Sequence, residues 1–137
     1  MRNAFLLLAV PALIAAPPKE QVDRPGSQDH PLFTRMPGFI IGRYKTSDFD
    51  SEVFRVKGAK KEEKVTVEGK KTFIAYAIKK GEPKPSPLEV TRNHIHAIKK
   101  VGGEVIFEQT SSGHAATLRI KKGSAETWAY VYPYGGC

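Results

Sequence analysis

Hydrophobic and polar residues alternate in short runs from Phe39 to Tyr132, and this alternation predicts strands. The runs cover 39–44, 52–56, 64–68, 72–78, 104–109, 115–120 and 126–132. Thr46-Ser47-Asp48 has turn chemistry between the first two. The charged stretch 57–64 reads as a loop tip, and Gly69 as a tight hairpin or a bulge. Residues 72–78 are apolar on both faces, which predicts a central strand. Lys121-Lys122-Gly123-Ser124 joins the last two runs as a hairpin.

One segment has helical period instead. Ser86 is a predicted N-cap, Pro87 fits the first turn, and Glu89 completes a capping box. Gly102-Gly103 stops the helix, and Lys99-Lys100 suit its negative end. Leu88, Val90, Thr91, His94, Ile95, Ala97, Ile98 and Val101 share one broad side. One helix cannot supply the crossovers of a parallel sheet. The expected fold is therefore α+β. It is a mainly antiparallel sheet of about five to six strands, with one amphipathic helix packed on one face.

The N-terminus follows a different rule. Arg2 precedes an apolar run from Ala4 to Ala16 that ends in small residues, the layout of a secretory signal peptide. A bilayer span needs about 20 apolar residues, more than this run has. The expected organisation is a signal peptide over 1–16, an extended linker and turn over 17–38, and a single α+β domain over 39–134. Pro17, Pro18, Pro25, Gly26 and Pro31 break regular structure in the linker. An exported protein, periplasmic or outer-membrane-associated, is the expectation.

Charge refines that picture. The 137 residues carry a formal charge of +8, much of it in lysine doublets at 60–61, 70–71, 79–80, 99–100 and 121–122. Such doublets at turns and element ends are solubilising surface, and they favour weak association with an anionic membrane surface. Nucleic acid is not the expected partner of an exported chain. Cys137 is the sole cysteine, so no disulfide forms within the chain, while an interchain disulfide through Cys137 stays open.

Candidate chemistry is sparse. His94 and His96 lie on opposite sides of the helix and cannot chelate one metal together. His94 is expected in the core, His96 in solvent and His114 in a turn. There is no nucleophile elbow, Walker loop or dinucleotide fingerprint, so no catalytic residue, metal site or cofactor is expected. Asp29-His30-Pro31 could set a carboxylate beside an imidazole, although an Asx-type turn explains the trio more simply. Glu126, Trp128, Tyr130 and Tyr132 alternate onto one face of a strand. With Arg119 and Lys121 alongside, they would make an aromatic, basic platform for sugar rings or bases. Alternatively this face packs under the helix or a loop, because Ala125, Ala129 and Val131 opposite fill little volume.

Three stretches carry a family resemblance: Gly26 to Gly38 (GSQDHPLFTRMPG), Ser86 to Val90 (SPLEV) and Gly103 to Glu108 (GEVIFE). In order and spacing they resemble the uncharacterised envelope domain that precedes the peptidoglycan-binding module in some bacterial OmpA-like proteins. The resemblance covers about residues 23–132. It implies a Gram-negative envelope location and a non-enzymatic role, with an envelope protein or a peptidoglycan-type polymer as partner. It supplies no catalytic residues. The anchoring residues of the peptidoglycan-binding module have no counterpart in this chain, and neither do the cysteines of some relatives near the end of the post-helix strand.

The expected function is a non-enzymatic cell-envelope module. Its contact residues would be Asp29, His30 and Arg35, together with Arg119, Trp128, Tyr130 and Tyr132. An exported hydrolase of polysaccharide or peptide is the first alternative, and would need Asp29, His30 or His114 beside a carboxylate in a cleft. A basic nucleic-acid-binding domain is the second.

Overall fold

The structure, a computed structural model, describes residues 16, 17, 19–111 and 113–133. All but the last residue of the expected signal peptide, 1–16, lies outside the described residues, as does Cys137. The element order is β1 (Phe39–Lys57), β2 (Glu62–Ile78), α1 (Pro87–Lys100), β3 (Glu104–Glu108), β4 (Ala116–Lys122) and β5 (Ala125–Val131). The fold is α+β with antiparallel sheets, and the five strands divide into a two-stranded β1–β2 ribbon and a three-stranded β3–β4–β5 sheet.

The first four strand-like runs merge into two long strands. β1 and β2 stay paired from Phe39 opposite Ile78 to Lys57 opposite Glu62. The Thr46-Ser47-Asp48 turn is not formed. An extra residue between Ser47 and Asp50 is absorbed as a bulge, and a second bulge falls between Ile41 and Arg43. A bulge accommodates one additional residue without ending the ladder, so local turn chemistry is overridden by pairing on both sides. The actual tip is tight, with the Gly58 N–H donating to the Lys61 carbonyl at 3.0 Å. Residues 72–78, expected in the centre of a sheet, belong to a strand with one neighbour only.

The helix begins and ends as its sequence dictates. Ser86 Oγ accepts from the Glu89 N–H at 3.1 Å, satisfying one of the orphan donors of the first turn. At the other end Gly102 adopts φ +84°, its N–H donates to Lys99 O, and the Gly103 N–H donates to Ile98 O at 2.8 Å. This pair of bonds is the Schellman arrangement. It turns the chain directly into β3. Gly103 is needed for a further reason: a Cβ there would overlap Ile98 Cγ1 and lie 3.0 Å from Arg119 O.

The core lies between α1 and the three-stranded sheet. Ile95 and Ile98 meet Ala116, Leu118 and Ile120, flanked by Val105, Ala129 and Val131. Leu32 and Phe33 also pack on this cluster. The described residues of 17–38 contain no helix or strand, but part of the segment is pressed against the core. Thr91, fully buried, donates its hydroxyl to the His114 carbonyl. Thr117 on β4 is also fully buried, and its Oγ1 is the one buried side-chain polar atom among the described residues with no hydrogen-bond partner.

Two stability measurements follow. Gly103→Ala should lower the unfolding free energy in urea by about 1–3 kcal/mol, because the new methyl must displace Ile98 or the β4 backbone. Thr117→Val keeps the shape and removes the unpaired hydroxyl, so it should leave stability unchanged or raise it by up to about 1 kcal/mol.

Candidate binding face

Strands β4 and β5 present the aromatic residues. Their register sets Arg119 opposite Trp128 and Thr117 opposite Tyr130. Side chains alternate along β5, so Ala129 and Val131 face the helix while Trp128 and Tyr130 face away from it. The small residues are the ones that admit the helix. This leaves the bulky aromatics on the side of the sheet toward the ribbon.

The ribbon covers part of that side. Phe54 of β1 is buried and its ring lies 5.5 Å from that of Trp128. The guanidinium of Arg119 sits over the Trp128 ring at 5.3 Å from the centroid. Two carboxylates hold it there: Glu104 at 2.6 Å and Glu126 at 3.4 Å. Beyond Trp128 the face opens. Tyr130 and Tyr132 stack with ring centroids 6.2 Å apart and planes 10° apart, and they are 44% and 53% exposed. Arg55 is held by Glu62 at 3.2 Å and by Gln109 at 2.8 Å. Partial burial pushes the Tyr130 hydroxyl above its ordinary value, with the nearby Arg55 charge opposing that shift.

The expected basic platform is therefore charge-balanced in its immediate contacts. Arg55 and Arg119 are matched by Glu62, Glu104 and Glu126. Lys121 pairs in register with Glu126 across the strands. The aromatic half of the platform stands open, and the arginines act mainly to brace it. Strand alternation alone places Trp128, Tyr130 and Tyr132 on one face, with Arg119 on the neighbouring strand. Phe54, Arg55 and Gln109 reach this face from the ribbon and from the end of β3. Nothing in their local sequence announces that.

Asp29 and Arg35 meet at the base of the ribbon. The Arg35 guanidinium grips Asp23 at 2.6 and 2.8 Å and Asp29 at 3.0 and 3.1 Å. It also lies 5.5 Å from the centroid of the Tyr76 ring, and the Tyr76 hydroxyl donates to Asp29 at 2.6 Å. Asp23 additionally accepts from the Ile41 N–H at 2.9 Å. The result is a clasp fastening residues 23–35 to both strands. Asp23 and Tyr76 are its unpredicted members, since each is distant in sequence from Arg35. His30 turns away from Asp29. Its Nδ1 accepts from the Leu32 N–H at 3.2 Å, and its ring lies 6.2 Å from that of Phe33. Phe33 in turn lies 5.3 Å from His94, whose Nδ1 donates to Val90 O at 2.8 Å. His96 is exposed, as expected of its side of the helix.

Electrostatics follow from these contacts. Hydrogen bonds from Arg35, then from Ile41, hold the Asp23 carboxyl below its ordinary value. For Asp29 partial burial pulls upward, but the bonds from Tyr76 and Arg35 outweigh it and the net shift is down. Tyr76 is shifted up by burial and by its bond to Asp29. Burial lowers His30. Among the described residues, no three His, Cys, Asp or Glu side chains gather as metal ligands would, and no helix is long and apolar enough to cross a membrane. Comparison with known proteins leaves the face to be read from its own chemistry: no family model matches the chain, and no curated protein or solved structure matches it.

The clasp makes a prediction about acid. Carboxylates with lowered values in the fold contribute stability that is present above about pH 4 and lost as pH falls through the folded values. Wild-type protein should therefore lose stability more steeply below about pH 4 than Arg35→Gln, in which both carboxyls relax upward. Parallel urea titrations of the two proteins from neutral pH into acid would check it. Identical slopes would mean that the clasp does not carry the acid dependence.

Proposed function

We propose that this protein is an exported, non-enzymatic module of the bacterial cell envelope, and that it holds a cell-wall glycan on the Trp128–Tyr132 face. The observation that carries this reading is the stacked Tyr130–Tyr132 pair, half exposed beside a braced Trp128. Sugar rings have apolar C–H faces that lie against aromatic rings, with hydroxyls that bond to flanking polar groups. Gln109 and the carboxylates of Glu62, Glu104 and Glu126 are such groups.

Charge favours a glycan over nucleic acid. A phosphate backbone needs cations free to replace its counterions. Arg55 and Arg119 already have carboxylate partners, so a largely uncharged polymer suits this face better. The signal-like N-terminus and the resemblance to the envelope domain of OmpA-like proteins support the location. In this reading Asp29, His30 and Arg35 serve the fold, and contact falls to the aromatic face.

Co-sedimentation with purified peptidoglycan tests the proposal. Wild-type protein should pellet with the polymer, and Tyr130→Ala/Tyr132→Ala should bind about tenfold or more weakly, by analogy with stacking worth ~1–3 kcal/mol per ring. Binding should change little with added salt. Equal binding by the variant would remove the aromatic face from the interaction. A steep loss with salt would point to a polyanion instead. Intact mass of protein recovered from the periplasm should lack the first fifteen or sixteen residues, and full-length cytosolic protein would overturn the location.

A further inference from the structure

We infer that the free edge of β2 pairs with the same edge of a second copy, antiparallel and centred on Gly69, to make a continuous four-stranded sheet. The inference does not rest on the glycan reading.

The ribbon poses the problem. A two-stranded ribbon of 17–19 residues per strand is marginal unless something covers it. Its two edges differ. The β1 edge is interrupted by two bulges, and residues 23 and 24 cover it near its start: the Arg24 N–H donates to Ile41 O and the Ile41 N–H to Asp23. Bulges and covering segments are the usual devices that blunt an edge. The β2 edge has neither over residues 64–74. No extra residue falls on β2, and among the described residues no third strand adjoins it.

The side chains of β2 are also wrong for an edge in solvent. Val65 and Phe73 are 38% and 49% exposed and lie on the same face of the strand. The stretch 72–78 is apolar on both faces, the pattern of a central strand. Pairing with a second copy would make β2 central.

Register is fixed by charge. Two identical edges meet with residues of equal parity opposite each other, so the two-fold axis passes through a residue. An axis at Glu68 would set Glu68 against Glu68, and an axis at Lys70 would set Lys70 against Lys70. An axis at Gly69 sets Glu68 against Lys70 twice, Thr66 against Thr72, and Val65 against Phe73. These are opposite-charge, hydroxyl and apolar pairs, all favourable across antiparallel strands. Val67 meets the aliphatic stem of Lys71, whose ammonium stays on Glu52 at 2.8 Å. The residue at the axis has no side chain to obstruct the approach.

Sedimentation velocity of the full chain under reducing conditions, which exclude a Cys137 disulfide, tests the inference. The expected result is a concentration-dependent dimer of the 15.1 kDa chain. Lys70→Glu or Glu68→Lys alone would place like charges opposite and should weaken association about tenfold. The double swap Glu68→Lys/Lys70→Glu should restore it. Neither side chain has an ion-pair partner within the ribbon, so circular dichroism of the variants should match wild type. A chain that stays monomeric at millimolar concentration would overturn the inference. So would a dimer indifferent to both single reversals.

Discussion

A ribbon of two strands has no layer of its own to lie on, and the molecule is organised around the two places where this one is fastened. At its base the Arg35 guanidinium holds Asp23 and Asp29 together although a turn at 25–26 separates them. Asp23 then caps the Ile41 N–H, and Asp29 takes the Tyr76 hydroxyl. One cation thereby ties a segment lacking regular structure to both strands. Near the tip Phe54 is buried against Trp128. The first fastening is polar and half-exposed, and the second is apolar. The carboxyls held below their ordinary values, Asp23 and Asp29, belong to the first.

The second fastening depends on which face of the three-stranded sheet the helix takes. A helix approaches closely over alanine and valine, and the core of Ile95, Ile98, Leu118 and Ile120 is completed by Ala116, Ala129 and Val131. Trp128 is thus left to receive Phe54, while Tyr130 and Tyr132 extend past the covered zone. The same placement strands the Thr117 hydroxyl, which lies on the Trp128 side of β4 without a partner. One packing decision produces the exposed aromatic face and one uncompensated polar group.

What the sequence made legible was local. The capping box, the glycine stop and the alternation of β3, β4 and β5 each express a rule that operates over a few residues. The structure follows them to within a residue or two. The ribbon was less legible, because Thr46-Ser47-Asp48 has turn chemistry and only the partner strand reveals that it is bulged instead. The single expected sheet became two for the same reason, since strand alternation does not state which edges meet. On the aromatic face, alternation places Trp128 and Tyr130 of β5 with Tyr132 just beyond it, and Arg119 lies beside them on β4. Their partners from β1 and the end of β3 depended on tertiary placement. The clasp shows the limit most clearly. Asp29 and Arg35 stand out in the sequence as contact candidates; in the fold Arg35 pairs with Asp29 and Asp23, and neither Asp23 nor Tyr76 carries a local sign of joining them.

The two kinds of cation divide the labour. Arg35, Arg55, Arg92 and Arg119 each meet a carboxylate within 3.2 Å, and their planar forks brace strands and segments. Four of the five lysine doublets lie at turns and element ends, while Lys70-Lys71 falls in the middle of β2, where Lys71 pairs with Glu52; together the doublets supply much of the formal +8. That surplus is diffuse. Its field reaches over about a Debye length, roughly 8–10 Å in ordinary salt. In the glycan reading proposed above, recognition would rest on shape and apolar contact at the tyrosine pair beyond Trp128, and in the dimer inferred above on the β2 edge. At the edge Glu68 and Lys70 flank a glycine, so like charges penalise a move of the axis by one residue in either direction.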